Sequence, residues 1–262
     1  MRENVNDIEI NYHQQGQGEK VILVHGLAED HESFSKVQNR LKNFTTYALD
    51  LRGHGETTLG DADGSLLQLG DDLIGFLEKI GGPAACVGYS LGGTIVLWAA
   101  ARRPDLVNHL TLIGSSTKVG HAAKDFFQQR IKQLRSDRSE FDKALHSDTA
   151  AQIINNNIDV NAITSKRLHA IGSGEGYINA AKAMMAVHDQ PLTDLLEKIH
   201  CPVDVIGADG DVFCPKKAAD MILDALPNAE YHEIEKAGHL MSVDQPDSYS
   251  QMIETILNRR TL

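Results

Sequence analysis

The chain has 262 residues, 42% apolar and 23% charged, with a formal net charge of −11, a composition ordinary for a globular domain with a sizeable core. Charge of that sign argues against a protein that grips nucleic-acid phosphates, or an anionic membrane surface, by bulk electrostatics. The longest strongly apolar stretch, near residues 94–101, falls far short of the ~20 residues a membrane helix needs, and Met1-Arg2-Glu3-Asn4-Val5-Asn6-Asp7 has no apolar core of a secretory leader. Three cysteines, Cys86, Cys201 and Cys214, are odd in number and widely spaced, without a CxxC pair. They predict neither a disulfide framework nor a metal knot, and a reducing, cytoplasmic setting.

In chain order, residues 8–13 alternate weakly and predict an early edge strand. Val21-Ile22-Leu23-Val24 is a continuous apolar run ending in His25-Gly26, the pattern of a strand buried on both faces. Residues 45–49 repeat it and end in the glycine-punctuated loop Asp50-Leu51-Arg52-Gly53-His54-Gly55. Residues 66–80 carry apolar side chains at helical spacing and stop at Gly81-Gly82-Pro83. A strand over 84–87, a helix over 92–102 ended by Pro104, and a strand over 110–113 follow. This alternation predicts an α/β protein with a mostly parallel, twisted sheet flanked by helices.

The rhythm breaks from 117 to 190, where strand-like runs are missing and helices are predicted over 126–134, 140–145, 150–158 and 177–186. It resumes with a strand over 202–206, a helix over 217–226, a strand over 230–234 and a terminal helix over 249–258. The expected organisation is a core formed by 1–116 and 191–262 with a helical cap or lid at 117–190. An insertion of that length more often binds substrate than merely links two elements.

One pentapeptide carries chemistry. Gly88-Tyr89-Ser90-Leu91-Gly92 fits G-x-S-x-G between a predicted strand and a predicted helix. Such a turn strains the backbone to expose the serine, and glycine two residues to either side avoids collision. The following helix aims its positive end at the serine. A serine needs a base, and the base an orienting acid; in turns of this kind the acid and then the histidine follow in the chain. Asp211 in Gly207-Ala208-Asp209-Gly210-Asp211, and His239 after the last strand, stand where loops at strand C-termini gather. Asp209 competes with Asp211. The oxyanion would be held by the backbone N–H groups of Leu91 and of Leu27, in the loop after the early strand.

Together these segments resemble the α/β-hydrolase superfamily: the strand and His-Gly loop of 21–27, Asp50–Gly55, Gly88–Gly93, Gly207–Pro215 and Gly238-His239, in the expected order. The resemblance implies an α/β-hydrolase fold with Ser90 as nucleophile, Asp211 as triad acid and His239 as base. Asp211 is favoured because it stands four residues before Pro215, as in the family pattern. Within the superfamily the chain is similar to small carboxylesterases and to 3-oxoadipate enol-lactonase-like serine hydrolases. The implied activity is hydrolysis of a small-molecule carboxylic ester or lactone through an acyl-enzyme. No metal or organic cofactor is expected, no nucleic-acid or membrane partner, and a monomer or homodimer. Two alternatives stay open: a C–C hydrolase or related lyase using the same triad, and a hydrolase-like receptor for a small signalling ligand. His25, Arg52 and His54 are expected to shape loops. Trp98 and Cys86 are expected in the core, and Tyr89, Met184 and Met185 in the core or at a pocket wall. Arg130, Arg135, Arg138 and Arg167 are chemically able to hold a substrate carboxylate, but most of them are expected on solvated faces.

Overall fold

The four side chains Val21 to Val24 have no exposed surface, and the strand they form anchors the sheet. In the computed structural model, which describes residues 1–260, the strands are β1 (Arg2–Val5), β2 (Ile8–Gln15), β3 (Glu19–Val24), β4 (Phe44–Leu49), β5 (Ala84–Tyr89), β6 (Val107–Ile113), β7 (Val203–Ala208) and β8 (Glu230–Ile234). They form one sheet in the order β1-β2-β4-β3-β5-β6-β7-β8. From β4 to β8 all pairings are parallel, while β2 runs antiparallel to both β1 and β4.

The helices are α1 (Ser35–Arg40), α2 (Leu66–Lys79), α3 (Leu91–Arg102), α4 (His121–Ser136), α5 (Arg138–Ala151), α6 (Val160–Ile171), α7 (Glu175–Asp189), α8 (Lys216–Ala225), α9 (Met241–Asp244) and α10 (Pro246–Arg260). Every residue of α3 from Leu91 to Ala101 is buried, which is why its apolar character runs all round rather than along one stripe. Trp98 lies there, against the backbone of Gly70 on α2, where any Cβ would overlap the indole. None of the helices among the described residues is long and apolar enough to cross a membrane.

Two expectations are corrected. Residues 8–13 belong to β2, which is not an edge: β1 covers it, joined by a tight turn in which Asn6 takes φ 52°, a conformation asparagine tolerates. The polar, charged sequence of β1 hides it from periodicity, and such residues suit an unpaired rim. The helix expected over 150–158 does not form. Instead α5 ends at Ala151, and the chain from 152 to 159 is irregular until Asp159 caps α6 by accepting from Asn161 and Ala162 N–H. Asparagine and aspartate favour such caps over helix interiors. The Asp244 carboxylate also captures the N–H groups of Ile154 and Asn155. Helix α6 went unpredicted.

The order of strands reverses between β3 and β5: the chain passes from β3 to β4 on one side and to β5 on the other. Open parallel sheets gather their ligand sites at such a switch point, outside the strand C-termini. Helices α4 to α7 lie between β6 and β7 in the chain, with their own cluster around Phe141, Leu145, Ile171 and Tyr177. They meet the rest of the protein at backbone level. Gly55 N–H donates to Ala170 O at 2.7 Å, and a Cβ on Gly53 or on Gly176 would run into the other's backbone.

The Asp50–Gly55 loop is tied down on both sides. Asp50 accepts from Asn11 Nδ2, from the N–H of Glu56, and from both the N–H and Nδ1 of His31, the last at 2.7 Å. The hydrogen bond to Asp50 raises His31 above its ordinary value of 6.5 despite partial burial. A raised folded-state value means that the stabilisation is complete below the unfolded value and fades as pH climbs through the folded one. His31→Gln is therefore expected to lower the urea midpoint more at about pH 5.5 than at about pH 9, either side of the ordinary histidine value. An equal loss at both would show that the pair carries no charge.

Candidate active site

The elbow is as strained as its spacing predicts. Ser90 sits between β5 and α3 with φ 52° and ψ −115°, a region costly for a side chain and found where surrounding structure enforces it. A Cβ on Gly88 would overlap Gly93, one on Gly92 would overlap the end of β3 at Val24 and His25, and one on Gly93 would overlap Ser115. The glycines thus let α3 settle directly onto the sheet. Tyr89 runs beneath the turn, and its hydroxyl donates to the backbone O of His239 at 2.9 Å.

Ser90, His239 and Asp211 come together from the ends of three strands. Ser90 Oγ lies 3.1 Å from His239 Nε2, and His239 Nδ1 lies 2.8 Å from Asp211 Oδ2. Asp211 Oδ1 accepts from the N–H groups of Phe213 and Cys214 at 2.8 and 2.9 Å. Burial works to raise the Asp211 carboxyl, but the His239 hydrogen bond and charge and these two amides together hold it below its usual range. An acid anchored this way stays ionised and fixes the imidazole with Nδ1 as donor, leaving Nε2 to face the serine. Asp209 lies apart from that pair: its carboxylate accepts from Ala237 N–H and lies near the surface.

The loop after β3 runs directly against the elbow. A Cβ on Gly26 would meet the Tyr89 ring and come within 3.3 Å of Ser90 Cβ. Leu27 and Leu91 are both pocket-wall residues beside Ser90. His25 holds this loop from beneath: its Nδ1 is 2.8 Å from Gly26 O and its Nε2 accepts from Leu51 N–H. Burial pushes His25 down to about 4, so a neutral ring can donate through one nitrogen and accept through the other. His54 is pushed down to about 3 by the same cause. Both histidines are loop supports rather than acids or bases.

Above the serine lies a cavity of about 910 Å³, at the upper end of small-molecule sites. The sheet ends contribute Leu27, Tyr89, Leu91 and His239; the inserted helices contribute Phe126, Phe127, Leu145, Tyr177 and Met184; Val212 and Phe213 stand at its outer side. Cys214 borders it too, but burial raises its thiol, as it does that of Cys86, so neither is a ready thiolate.

Three charged residues at or beside the site are drawn in from solvent: Arg130 and Arg167, both among the arginines named as able to hold a substrate carboxylate, and Glu29, which the sequence did not single out. Arg130 grips Asp148 in a two-pronged pair, at 2.7 Å through Nε and 2.6 Å through Nη2. Arg167, on α6, is only 8% exposed and lines the cavity. Glu29 is buried and accepts from Gly26 N–H at 3.2 Å; burial raises its carboxyl, against the charge of Arg167. The expectation of solvated faces fails for Arg130 and Arg167. The signal was present in α6: Ile163, Arg167 and Ile171 are four residues apart, which sets the arginine on the apolar stripe. Arg138, by contrast, forms an ordinary surface pair with Asp142.

Comparison with known proteins agrees with this architecture. A family model described as the alpha/beta hydrolase fold matches residues 20–246. Among characterised relatives, (E)-2-((N-methylformamido)methylene)succinate hydrolase of Acinetobacter baylyi is 26% identical over 255 residues, covering 94% of this chain and 93% of its own. The 3-oxoadipate enol-lactonase 2 of the same organism is 25% identical over 264 residues, covering 97% and 94%. Among solved structures, a thermophilic esterase from Thermogutta terrifontis superposes with a TM-score of 0.86 at 23% identity over 99% of both chains, a likeness of fold.

Proposed function

The chain belongs to the alpha/beta hydrolase fold family, and from that premise we propose that it is a serine hydrolase cleaving a carboxylic ester or lactone of a small molecule. The observation that carries this reading is the continuous hydrogen-bonded line from Ser90 Oγ through His239 to Asp211 at the floor of the cavity. Ser90 Oγ attacks the carbonyl as His239 Nε2 takes its proton, and Asp211 stabilises the resulting imidazolium. The N–H groups of Leu27 and Leu91 receive the oxyanion, each such donor being worth ~3 kcal/mol in the transition state. The tetrahedral intermediate collapses, His239 gives its proton to the leaving oxygen, and an acyl-enzyme remains. Water deprotonated by His239 then releases the acid and restores Ser90. In a lactone the leaving alcohol stays tethered to the acyl group, which the cavity volume accommodates.

The inserted segment 117–190 is read as the cap over this chemistry, and 1–116 with 191–262 as the core that performs it. No step calls on a cofactor or metal. The similarity to an enol-lactonase favours the ester and lactone class. The test is paired. The protein is expected to turn over p-nitrophenyl butyrate or a simple δ-lactone, and a fluorophosphonate probe is expected to label the peptide containing Ser90 and to abolish that turnover. A folded protein that leaves the probe unreacted, or that stays active after labelling at Ser90, overturns the proposal.

A further inference from the structure

Arg52, which is buried, and Arg130, which is half-buried, each spend one edge of the guanidinium, the Nε and Nη2 side, on a carboxylate. Arg52 does so with Asp72, at 2.7 Å through Nε and 2.8 Å through Nη2. Arg130 does so with Asp148, at 2.7 and 2.6 Å. Arg167 is the exception on the cavity wall. Its Nη1 donates to Thr149 Oγ1 at 2.8 Å and to Gln152 Oε1 at 3.0 Å, both neutral. Its Nη2 reaches only the backbone O of Leu27, at a long 3.4 Å, and its buried Nε has no hydrogen-bond partner among the described residues. No carboxylate forms an ion pair with it there. A permanently charged group shut away from water without a counter-ion is costly, and folded proteins pair such groups as a rule.

The nearby acids do not fill this role. Asp148 lies on the same wall, but both its oxygens are held by Arg130. Glu29 makes its hydrogen bond to Gly26 N–H and no ion pair with Arg167. Burial raises the Glu29 carboxyl and the nearby charge of Arg167 lowers it, but no hydrogen bond or ion pair joins the two among the described residues.

We infer that the missing counter-ion is the substrate's: Arg167 receives a carboxylate carried by the ester or lactone that Ser90 attacks. The inference rests on the serine-hydrolase reading above and narrows its substrate class to anionic acyl compounds. Position sets the length. Arg167 Nη2 lies 3.4 Å from the carbonyl of Leu27, the residue whose N–H is assigned to the oxyanion. The carbonyl that Arg167 touches and the N–H assigned to the oxyanion belong to one residue, so the two sites are close neighbours on the cavity wall. That separation suits a carboxylate two to four carbons from the scissile carbonyl. Nε is screened from solvent, so the carboxylate engages from the cavity side, and a two-pronged contact requires a small turn of the guanidinium plane. A second positive wall group is not needed, and apart from Asp148, which Arg130 holds, the wall beside Arg167 is apolar or neutral at Leu27, Leu145, Gln152 and Tyr177.

The test compares monomethyl succinate, glutarate and adipate with methyl butyrate, valerate and hexanoate, following acid release in a pH-stat. Wild type is expected to favour the best half-ester over its neutral counterpart at least tenfold in kcat/KM. In Arg167→Met that preference is expected to disappear, a loss of about tenfold to 100-fold, the scale of losing one partner of a desolvated charge pair, with Arg167→Lys between. A preference that survives in Arg167→Met, or equal losses on both ester types, overturns the inference and leaves Arg167 as a clamp between α6 and the Leu27 loop. Should Arg167→Met fail to fold by thermal melting, Arg167→Lys and Arg167→Gln carry the same comparison. Calorimetry separates this from the hydrolase reading: glutarate is expected to bind Ser90→Ala and to lose binding in the Ser90→Ala/Arg167→Gln double variant. Glutarate binding of this kind without turnover of either ester series would sink the proposed reaction and keep the carboxylate site. Absent or unchanged binding sinks the site.

Discussion

Replacing Ser90 with alanine is expected to lower kcat on any ester or lactone the protein hydrolyses by about 10⁶-fold, some 8 kcal/mol of activation free energy. The size follows from what the hydroxyl does. Without Oγ no acyl-enzyme forms, so His239 and Asp211, poised by hydrogen bonds of 3.1 and 2.8 Å, have no nucleophile to activate. What remains is water attack assisted by the oxyanion amides and by binding, about 10³–10⁴ over the uncatalysed rate in comparable triads. The substitution keeps the Cβ that the strained backbone already accommodates at φ 52° and removes only one side chain–side chain hydrogen bond, so the thermal midpoint is expected to stay within a few degrees. Kinetics and a melt on the same preparation check both halves. A residual rate within tenfold of wild type would mean that another group, or metal-free water attack, does the chemistry, and the serine assignment would fall.

The largest expected effect on stability lies away from the chemistry, at Arg52. Its side chain is 1% exposed and joins the Asp50–Gly55 loop to two acids. Nε and Nη2 grip Asp72, Nη1 and Nη2 grip Asp7, and Nη1 also donates to Leu59 O. The Asp7 carboxyl is held far below its usual range, first by the hydrogen bond from Arg52 and then by the N–H of Asp61. Arg52→Met keeps much of the volume but strands the Asp72 charge in the interior, with Asn6 Nδ2 as its remaining donor. Breaking a buried pair from one side typically costs 3–5 kcal/mol. For a chain of this size that is a fall in Tm of about 10 °C. The pair itself is not the source of net stability, because desolvation offsets much of its attraction. The double variant Arg52→Met/Asp72→Leu is therefore expected to recover most of the loss. Melting curves of the single and double variants decide it: a double variant as unstable as the single one would show that geometry of the loop, not a stranded charge, sets the cost.

Much of the sheet was legible because buried parallel strands write themselves plainly. Val21 to Val24 is a continuous apolar run, Pro202 to Ile206 is one broken only by Asp204, and β8 falls on residues 230–234 as expected. Segments with weak local signals were not legible. β1 is polar because it is an edge, α6 because only one face of it is covered, and the irregular chain from 152 to 159 because its N–H groups are taken by Asp244, remote in sequence. The residues proposed for catalysis were nameable from sequence because the glycines around Ser90 have a steric reason, and the spacing from Asp211 to Pro215 and the pair Gly238-His239 match the pattern of the resembled family.

By itself the sequence determined the fold class, most of the sheet's strands, and three chemically apt residues, since hydrophobic period and glycine placement act over a few neighbours. It did not determine distances between them. The 3.1 and 2.8 Å contacts of His239 arise because β5, β7 and β8 end on one side of one sheet. Nor did it reveal that Arg167 is buried without a paired carboxylate while the half-buried Arg130 has one. That difference is decided by which helix faces which loop after the chain has closed, as α6 brings its arginine to the Leu27 carbonyl and α5 carries Asp148 to Arg130. Charge compensation in an interior is settled between residues far apart in sequence, because only packing sets how far each charge stands from water and from its counter-charge.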